Sequence, residues 1–500
     1  ALPIYSIIKT KNPMSKTVKK PSLLDALIPV IVLVGMLGTL VYVFGDGSAG
    51  PNQVALMMAA AVAAMIGIKN GLSWKDIERS MIDTIGLSMH AILILLMVGS
   101  LIGSWILAGT VPTMIYYGVQ LMSPDYFYVT ACLVCALIGF SIGSSWTVAG
   151  TLGIGLISIA ATLNLSLPIS AGAIISGAYF GDKLSPLSDT TNLAAAVTST
   201  NLFDHIQHML WTTTPSFIIA LIVFFALGYG SSNNVVVEDI VILQNNLEQS
   251  FLISPLMLGP LVLLLVMAVK KLPALSTLIC GTVAGCLFAV VFQWDVVIAL
   301  AADPELIAVA AIFKGLFQAM FLGYESVTGN VDLDKLLSKG GMDSMLTTVG
   351  LIINAMAFGG AMSRTGLLER LVEAALSRVK SAGGLITATV GTCIGTNVLA
   401  ADQYLSIAIP GQMFVKSYKE YNSSPLNLSR TLEDSGTLTG ALIPWNTCGA
   451  YMSATLGVST MMYAPFAFFN LLCPVIAIIY GFWHIALPPR ETEQDSVITD

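Results

Sequence analysis

A polar segment, "GDKLSPLSDTT" (Gly181–Thr191), interrupts a long apolar stretch of the chain. It contains two aspartates, a lysine, a proline and several hydroxyl side chains. Burying a charge at membrane depth costs at least about 2.5–3.5 kcal/mol, so ionisable residues there usually serve a function. Hard cations such as Na⁺ take oxygen ligands, and a carboxylate can also carry a proton. Competition between the cation and the proton for one carboxylate would produce exchange.

Three carboxylates are candidates for this chemistry: Asp182, Asp189 and Asp402. Each also has a purely structural interpretation. Asp182 could form an ion pair with Lys183 or cap the following segment. Asp189 could be a helix N-cap, since it follows Pro186 closely, and Asp402 could be a cap after another break. The residue types alone leave both interpretations open.

Hydroxyl and amide side chains near these carboxylates could complete an oxygen cage, together with backbone carbonyls released at helix breaks. The candidates are Ser141, Ser144, Ser145, Ser185, Ser188, Thr190, Thr191, Asn192, Asn397, Asn446 and Thr447. The predicted Na⁺ and proton site is drawn from this set and the three aspartates.

Other polar residues in apolar surroundings favour structural roles. Glu433 and Asp434 are expected near the outer water, in a solvated position. His205 and His208 are spaced i, i+3, as in a metal pair, but a cytoplasmic helix surface is the favoured interpretation. His90 is interpreted as a core histidine, with a proton relay as the alternative.

Two further features bear on function. Glu325 in "LGYESVTGN" could line an outer vestibule, although a structural position is favoured. No phosphate-binding loop, metalloprotease motif or nucleophile elbow is present, so the sequence indicates a secondary transporter or a channel and no enzyme. No cofactor and no nucleic-acid partner are indicated.

The composition predicts an all-α polytopic membrane protein. The chain has 500 residues, of which 55% are hydrophobic and 10% charged, compared with about 25% charged in soluble domains. At least ten apolar segments follow one another, and Ala26–Phe44 alone has the roughly 20 residues needed to span a bilayer. The first of them has full span length and no small-residue cleavage site, so a cytoplasmic tail and not a cleaved signal is expected.

Three pairs of segments recur in the same order at nearly the same separation. The first pair is glycine-rich: "GFSIGSSWTVAG" (139–150) and "GTCIGTNVLAAD" (391–402). The second pair places a proline before a polar cluster, in 185–198 and 443–456. The third pair, 103–109 and 360–366, begins and ends with glycine. Together they indicate an internal duplication.

Lysine and arginine distribution then predicts the orientation. The N-terminal lysines, Lys69, Lys75, Arg79, Lys270, Lys271, Arg364, Arg370, Arg378 and Lys380 are expected inside, and Lys314, Lys335, Lys339, Lys416, Lys419 and Arg430 outside. The acidic insert between the halves is expected outside, so the two halves would have opposite topology. The predicted organisation comprises an N-terminal tail (1–21), repeat 1 (22–230), an external loop (231–252), repeat 2 (253–485) and a C-terminal tail (486–500).

Each half is expected to contain two interruptions. The glycine-rich segments would break a helix, because glycine weakens helices and nearby hydroxyl and amide groups can satisfy the freed backbone. The segments around Pro186 and Pro444 are expected to be re-entrant hairpins, because Ile169–Phe180 is too short to cross at about 1.5 Å per residue. The predicted fold is therefore two inverted-topology repeats with broken helices and re-entrant hairpins.

Several segments resemble the NhaC-type Na⁺/H⁺ antiporters of the ion-transporter superfamily. The specific segment is "SGAYFGDKLSPLSDTTNLAA" (176–195), supported by 204–216 and 359–369. The resemblance covers most of residues 22–485. It implies exchange of cytoplasmic Na⁺, or Li⁺, for external protons, and it adds weight to Asp182, Ser185, Asp189, Thr190 and Asn192. Relatives that exchange malate and protons for Na⁺ and lactate are similar in this motif.

Two functions therefore stay open. The favoured one is a secondary active Na⁺(Li⁺)/H⁺ antiporter that exports sodium by alternating access, and the alternative is a Na⁺- or H⁺-coupled exchanger of small carboxylates. A carboxylate substrate would need positive partners, and Lys183 and Arg364 are the basic residues near the expected breaks. The expected location is the cytoplasmic membrane of a prokaryote, with both termini in the cytoplasm. A monomer and a homodimer are both compatible with the sequence.

Overall fold

The computed structural model describes residues 18–44, 49–230, 237–303, 305–327, 334–335, 337–377, 379 and 381–489. Within these ranges the regular secondary structure is helical, apart from two isolated β-bridges. Nine helices there are long and apolar enough to cross a membrane, or up to eleven if each of two bent pairs counts as one span. The prediction of an all-α polytopic membrane protein is confirmed at this level.

The helices are numbered here in chain order. Those before residue 231 are α1 (Leu23–Phe44), α2 (Ala49–Lys69), α3 (Trp74–Leu87), α4 (Met89–Leu107), α5 (Thr110–Leu121), α6 (Phe127–Ile142), α7 (Ser145–Val148), α8 (Ile154–Thr162), α9 (Leu167–Leu184), α10 (Asp189–Thr198) and α11 (Leu202–Gly228). A π-helical segment, Ala149–Gly153, joins α7 to α8.

The later helices are α12 (Val237–Ser250), α13 (Gly259–Val269), α14 (Ala274–Phe292), α15 (Trp294–Ala301), α16 (Ala308–Phe321), α17 (Leu346–Arg364), α18 (Leu367–Leu376), α19 (Ala382–Leu399), α20 (Gln403–Glu420), α21 (Pro425–Leu432), α22 (Leu438–Gly440), α23 (Thr447–Leu456), α24 (Thr460–Tyr463) and α25 (Phe468–Trp483). A π-helical segment, Glu433–Thr437, joins α21 to α22. Short 3₁₀ turns cover Pro124–Tyr126, Pro255–Leu258, Asp343–Met345 and Ala464–Phe466.

The glycine-rich segment of the first half forms the tip of a helical hairpin. Helix α6 ends at Ile142. Gly143 follows with a left-handed φ of 73°, and Ser144 then caps α7. The two ends of the hairpin meet, because the Tyr128 hydroxyl accepts a hydrogen bond from the Ser166 backbone N–H at 3.1 Å. The chain thus reverses its direction here, whereas the glycine-rich sequence predicted a broken helix.

The second half contains a matching hairpin, built from α19 and α20. The Ser406 hydroxyl donates to the Cys393 carbonyl at 2.7 Å, and the Tyr421 hydroxyl donates to the Val379 carbonyl at 3.1 Å. These contacts bring the start of α19 and the end of α20 to the same side. Residues 400–402 form the tip, and the prediction of a helix break at 391–397 is wrong, because these residues lie inside the continuous helix α19.

The segment around Pro186 is a break in a crossing helix, and the prediction of a hairpin there is wrong. Helix α9 has 18 residues, because helical structure extends beyond Ile169–Phe180 at both ends. Ser166 lies beside Tyr128, which also contacts Gly228 at the end of α11, whereas α10 leads into the start of α11. Since α11 has 27 residues, about 40 Å at 1.5 Å per residue, the chain crosses that distance between Ser166 and Thr200.

The segment around Pro444 repeats this arrangement. Helix α21 starts beside the end of the described chain, where Asn427 donates to the Pro488 carbonyl at 3.0 Å. The run continues through the π-segment and α22 alongside α25, breaks at residues 441–446, and resumes as α23. The proline-containing segments therefore form the breaks, and the glycine-rich segments form the hairpins.

Close packing of α6 on α9 depends on glycine. A Cβ at Gly181 would overlap the Ala136 carbonyl and the Phe140 backbone nitrogen, and one at Gly139 would lie 2.9 Å from the Ala178 carbonyl oxygen. Small residues allow helix backbones to approach closely where apolar burial gives no driving force between helices in lipid. This packing holds the first hairpin against the first crossing helix.

The third repeated pair also has matching structure. Gly109 and Gly366 both take left-handed conformations, with φ of 75° and 71°, at the start of α5 and α18. Glycine occupies such positions without the steric cost of a Cβ. The second and third repeated pairs thus have the same local structure in both halves, whereas in the first pair the chain reverses at Gly143 in one half and only after Leu399 in the other.

The contacts also correct the expected placement of several basic residues. The segment holding Lys416 and Lys419 ends beside Val379, and Arg430 donates to the Ala486 carbonyl at 2.9 Å. These residues therefore lie on the side expected for residues 378–380 and the C-terminal tail, not opposite to them. Residues 1–17, 231–236 and 490–500 of the predicted tails and loop, and Arg378 and Lys380, lie outside the described residues; α12 occupies most of the rest of that loop.

Candidate functional site

Asp182 is a buried carboxylate that lies directly before the first break. It lies in the last turn of α9, is 6% exposed, and accepts hydrogen bonds from the Ser145 backbone N–H (3.0 Å) and hydroxyl (2.7 Å). These hydrogen bonds join α9, the first crossing helix, to the tip of the first hairpin at Ser145. The alternative of an ion pair with Lys183 is wrong, because the Lys183 ammonium pairs with Asp434.

The break after Asp182 is held by local hydrogen bonds. Ser188 caps α10 through the Thr191 backbone N–H, and its hydroxyl lies 3.0 Å from the Thr190 hydroxyl. The Asn192 amide donates to the Pro186 carbonyl at 3.0 Å and the Ser188 carbonyl at 2.7 Å. Ser185 accepts from the Leu187 backbone N–H at 3.3 Å. These side chains hold carbonyl groups in place at the break.

Asp189 differs from Asp182 in its surroundings. It is exposed and occupies the first position of α10, where a negative charge favours the helix. It is not the N-cap that the structural alternative proposed, because Ser188 has that role. Burial therefore separates two aspartates that the sequence left equivalent.

In the second half, Asp402 is a helix cap that also contacts the second break. One carboxylate oxygen accepts from the backbone N–H groups of Tyr404 (2.9 Å) and Leu405 (3.1 Å). The other accepts from the Thr447 hydroxyl at 3.4 Å. Its structural interpretation as a cap is confirmed, and the same carboxylate links the second hairpin tip to the start of α23.

Two asparagines tie the same elements together. The Asn446 amide donates to the Asn397 side-chain oxygen at 3.0 Å and backbone oxygen at 3.1 Å. Asn397 in turn donates to the Gly436 carbonyl at 2.7 Å and the Thr439 hydroxyl at 3.0 Å. Both asparagines are fully buried. They position the second break as Ser145 and Asp182 position the first.

The two halves meet at these breaks. Trp146 stacks on Tyr451 with ring centroids 4.1 Å apart, and the Tyr451 hydroxyl donates to the Trp146 carbonyl at 2.8 Å. Tyr404 lies close enough to Asp182, Asp189 and Asp402 for their charges to act on its hydroxyl. The three predicted carboxylates are thus brought to one region of the molecule.

Two predicted serines have mainly local roles. Ser141 is exposed, and its hydroxyl donates to the Leu137 carbonyl of its own helix at 2.9 Å. Ser144 accepts from the Thr147 backbone N–H at 3.2 Å as the cap of α7. Neither hydroxyl bonds to a predicted carboxylate.

The structure contains a buried charged cluster that the sequence pattern did not predict. Glu433 and Asp434, expected in a solvated position, are both 0% exposed, as are Lys183 and Arg430. Asp434 pairs with Lys183 and accepts from the Thr212 hydroxyl at 3.0 Å. The segment "EDSGT" in the second repeated region, between α21 and the break, could have indicated this cluster.

Three other interpretations also change. His205 and His208 are buried, at 0% and 8% exposure, so they do not lie on a helix surface. His90 is exposed and is not a core histidine. Glu325 lines a cavity with Tyr324 and Lys339, as its vestibule interpretation required. The described residues contain no group of three metal-binding side chains, so the histidine pair lacks a third ligand there.

These elements define a polytopic helical membrane transporter, with charged residues buried where broken helices and hairpin tips meet. A sequence profile described as the Na⁺/H⁺ antiporter family matches residues 177–485. The chain belongs to this family.

Curated relatives carry differing names. The chain is 36% identical to the Na⁺/H⁺ antiporter NhaC of Alkalihalophilus pseudofirmus over 440 residues, which are 88% of this chain and 92% of that protein. It is 34% identical to the malate-2H⁺/Na⁺-lactate antiporter of Bacillus subtilis, with 93% and 96% covered. It is 33% identical to the arginine/ornithine antiporter ArcD of Halobacterium salinarum, with 96% of each chain covered.

Proposed function

We propose that this protein is a secondary active Na⁺/H⁺ antiporter that exports cytoplasmic Na⁺, or Li⁺, in exchange for protons by alternating access. The buried Asp182 carboxylate carries this proposal, because it lies where a hairpin tip meets a helix break. An ion there can take oxygen from the carboxylate and from backbone carbonyls at residues 184–188. Binding of the cation at this carboxylate and binding of a proton in the same buried charged cluster would oppose each other, so that each expels the other.

The proposal includes the architecture predicted from the sequence. Two inverted repeats, 22–230 and 253–485, would place their hairpin tips and broken helices around one site. The matching local structures of the second and third repeated pairs support this arrangement. The protein would reside in the cytoplasmic membrane of a prokaryote with both termini inside.

Exchange of a small carboxylate is the second candidate. Helices α10 and α23 begin at the breaks and α20 begins at a hairpin tip, and helix N-termini favour anionic groups. However, the ammonium of Lys183 is already paired with Asp434, and Arg364 is 32% exposed and 4.0 Å from Asp76. The basic residues considered as carboxylate partners are therefore engaged elsewhere, which favours a cation.

Everted membrane vesicles with an acidic interior provide the test. Na⁺, Li⁺, K⁺, malate, lactate and arginine are added separately, and the organic substrates also together with Na⁺, while a fluorescent dye reports the pH gradient. Na⁺ alone should dissipate the gradient and K⁺ should not. If Na⁺ alone leaves it unchanged while malate with Na⁺ collapses it, the antiporter proposal is wrong.

Variants link the activity to the site. Asp182→Asn should abolish Na⁺-dependent dissipation, since a neutral amide cannot balance the charge of the cation. Asp189→Asn should leave measurable exchange, because Asp189 is exposed. Asp295→Asn, an exposed position at the start of α15, is the control and should match the unmodified protein. Full exchange by Asp182→Asn would reject the assigned carboxylate.

A further inference from the structure

The buried cluster beside Asp182 contains a carboxylate with no hydrogen-bond partner. Both side-chain oxygens of Glu433 are fully buried and make no close hydrogen bond, although the hydroxyls of Thr437 and Thr190 lie near the carboxylate. The hydroxyl of Thr437, four residues further on, is buried and unpartnered as well. Buried charged groups are normally paired and hydrogen-bonded, so a buried carboxylate in this state calls for a bound ion or a proton.

The neighbouring acid, Asp434, has partners on one oxygen, while its Oδ2 is buried without a hydrogen bond. Its Oδ1 pairs with the Lys183 ammonium and accepts from the Thr212 hydroxyl (3.0 Å) and the Cys473 thiol (3.2 Å). Lys183 is therefore committed to Asp434 and cannot neutralise Glu433 fully. Glu433 nevertheless lies within electrostatic range of both Lys183 and Asp182.

Charge balance decides which group holds a proton. The charged side chains that act on Glu433 are Lys183 and Asp182. Its own segment and the helices packed against that segment also carry the buried His205, Arg430, Asp434 and Cys473 and the exposed Asp189. Arg430 turns one guanidinium nitrogen toward the Ala486 carbonyl at 2.9 Å, away from the break. Ionising Asp182, Glu433 and Asp434 together would set three negative charges against two buried cations, Lys183 and Arg430, and low-dielectric surroundings disfavour the uncompensated charge.

We infer that Glu433 is the proton-binding residue of the transport cycle and is distinct from Asp182, which binds the cation. Arrival of one Na⁺ at Asp182 adds one positive charge to the cluster. Loss of one proton from the Glu433 carboxyl, which becomes a carboxylate, removes one positive charge. The two events balance, and Lys183 couples them because it follows Asp182 on α9 and pairs with the residue after Glu433. The inference rests on the proposed Na⁺/H⁺ exchange.

Purified protein in liposomes separates proton coupling from cation binding. One measurement follows Na⁺-driven proton flux with an internal pH dye. The other follows exchange of ²²Na⁺ for unlabelled Na⁺ at equal pH on both sides, which needs no proton movement. Glu433→Gln should lower the proton flux by about tenfold or more, since the amide cannot release a proton, and keep ²²Na⁺ exchange within about twofold.

Other variants make the outcomes distinct. Asp182→Asn should lose both activities, and Glu305→Gln, at an exposed glutamate, should lose neither. Retained proton flux in Glu433→Gln, or loss of both activities in a variant that elutes as a single species, overturns the inference. Absence of Na⁺/H⁺ exchange in the unmodified protein would instead overturn the proposed function together with it.

A conservative variant decides the matter if Glu433→Gln does not fold. Glu433→Asp retains a carboxyl group in a slightly displaced position. It should retain proton flux, with a pH profile displaced from that of the unmodified protein. A profile that coincides with the unmodified one overturns the assignment of Glu433 as the proton carrier.

Discussion

Three aspartates with the same chemistry have three different environments in this protein. Asp182 is buried and receives two donors from Ser145, Asp189 is exposed in the first turn of a helix, and Asp402 caps α20. Both Ser145 donors reach the same oxygen of Asp182, Oδ2, so the carboxylate retains lone pairs for a cation. At the residue scale, burial separates Asp182 and Asp402, both 6% exposed, from Asp189, and the cap hydrogen bonds of Asp402 distinguish it from Asp182.

The Ser145 hydroxyl gives a test at this scale. Ser145→Ala removes the 2.7 Å hydrogen bond to Asp182 but leaves the backbone donor. Hydrogen bonds to charged groups contribute about 1.5–3 kcal/mol, so the half-saturating Na⁺ concentration should rise about tenfold or more. The measurement is the Na⁺ dependence of proton flux in liposomes.

A serine in the same hairpin serves as the control. The Ser158 hydroxyl donates only to the Ile154 carbonyl of its own helix, at 2.9 Å. Ser158→Ala should therefore leave the Na⁺ dependence unchanged. Equal Na⁺ dependence in both variants would contradict a role for Ser145 in holding Asp182.

Helices supply the positions of these residues, and glycine determines how closely they approach. Gly139, Gly177 and Gly181 allow α6 and α9 to pack with their backbones in contact. The hairpin tip carrying Ser145 consequently reaches Asp182 at the end of α9. At the element scale, the site depends on this contact as much as on its own polar residues.

Substitution of Gly181 tests the contact. In Gly181→Val, the added side chain would overlap the Ala136 carbonyl and the Phe140 nitrogen, which backbone atoms cannot relieve easily. Overpacking of this kind costs about 1–3 kcal/mol or more. The midpoint of thermal unfolding in detergent, followed by size-exclusion chromatography after heating, should fall clearly.

Another glycine provides the matched control. A Cβ at Gly395 in α19 would meet no atom within 4 Å. Gly395→Ala should therefore unfold at the temperature of the unmodified protein or slightly above it, since alanine favours a helix. An unchanged midpoint in Gly181→Val would show that α6 and α9 can separate at little cost.

On the scale of the whole molecule, the two halves are joined by buried contacts. Lys183 of the first half pairs with Asp434 of the second, and Trp146 stacks on Tyr451. Removing one partner of a buried ion pair leaves an uncompensated charge, so such pairs strongly favour one arrangement of the elements. If one half moved relative to the other, these contacts would have to break, or the residues that make them would have to move together.

The hairpin of α19 and α20 predicts which residues share a side of the membrane. In a background with Cys280→Ser, cysteines are introduced singly at Ser377, Lys419 and Glu248. The first two should react with a membrane-impermeant thiol reagent from the same side, because Tyr421 contacts Val379. Cysteine at Glu248 should react from the other side, and labelling of positions 377 and 419 from opposite sides would contradict the hairpin.

The sequence by itself determined the class of protein and the segments that matter. Low charge and repeated apolar runs leave membrane helices as the stable structure, since the backbone must satisfy its hydrogen bonds internally in lipid. The polar segment Gly181–Thr191 and its counterpart near Pro444 were identified because polar residues are costly at that depth. These are local properties, and local patterns report them.

The tertiary structure decided how those segments are used. Glycine and proline both interrupt helices, but only contacts such as Tyr128–Ser166 show which interruption reverses the chain and which lets it continue. In the same way, Glu433 and Asp434 resemble surface acids until residues 251 positions away, such as Lys183, enclose them. Burial and charge pairing depend on distant parts of the chain, and for that reason the charged cluster became visible only in the folded protein.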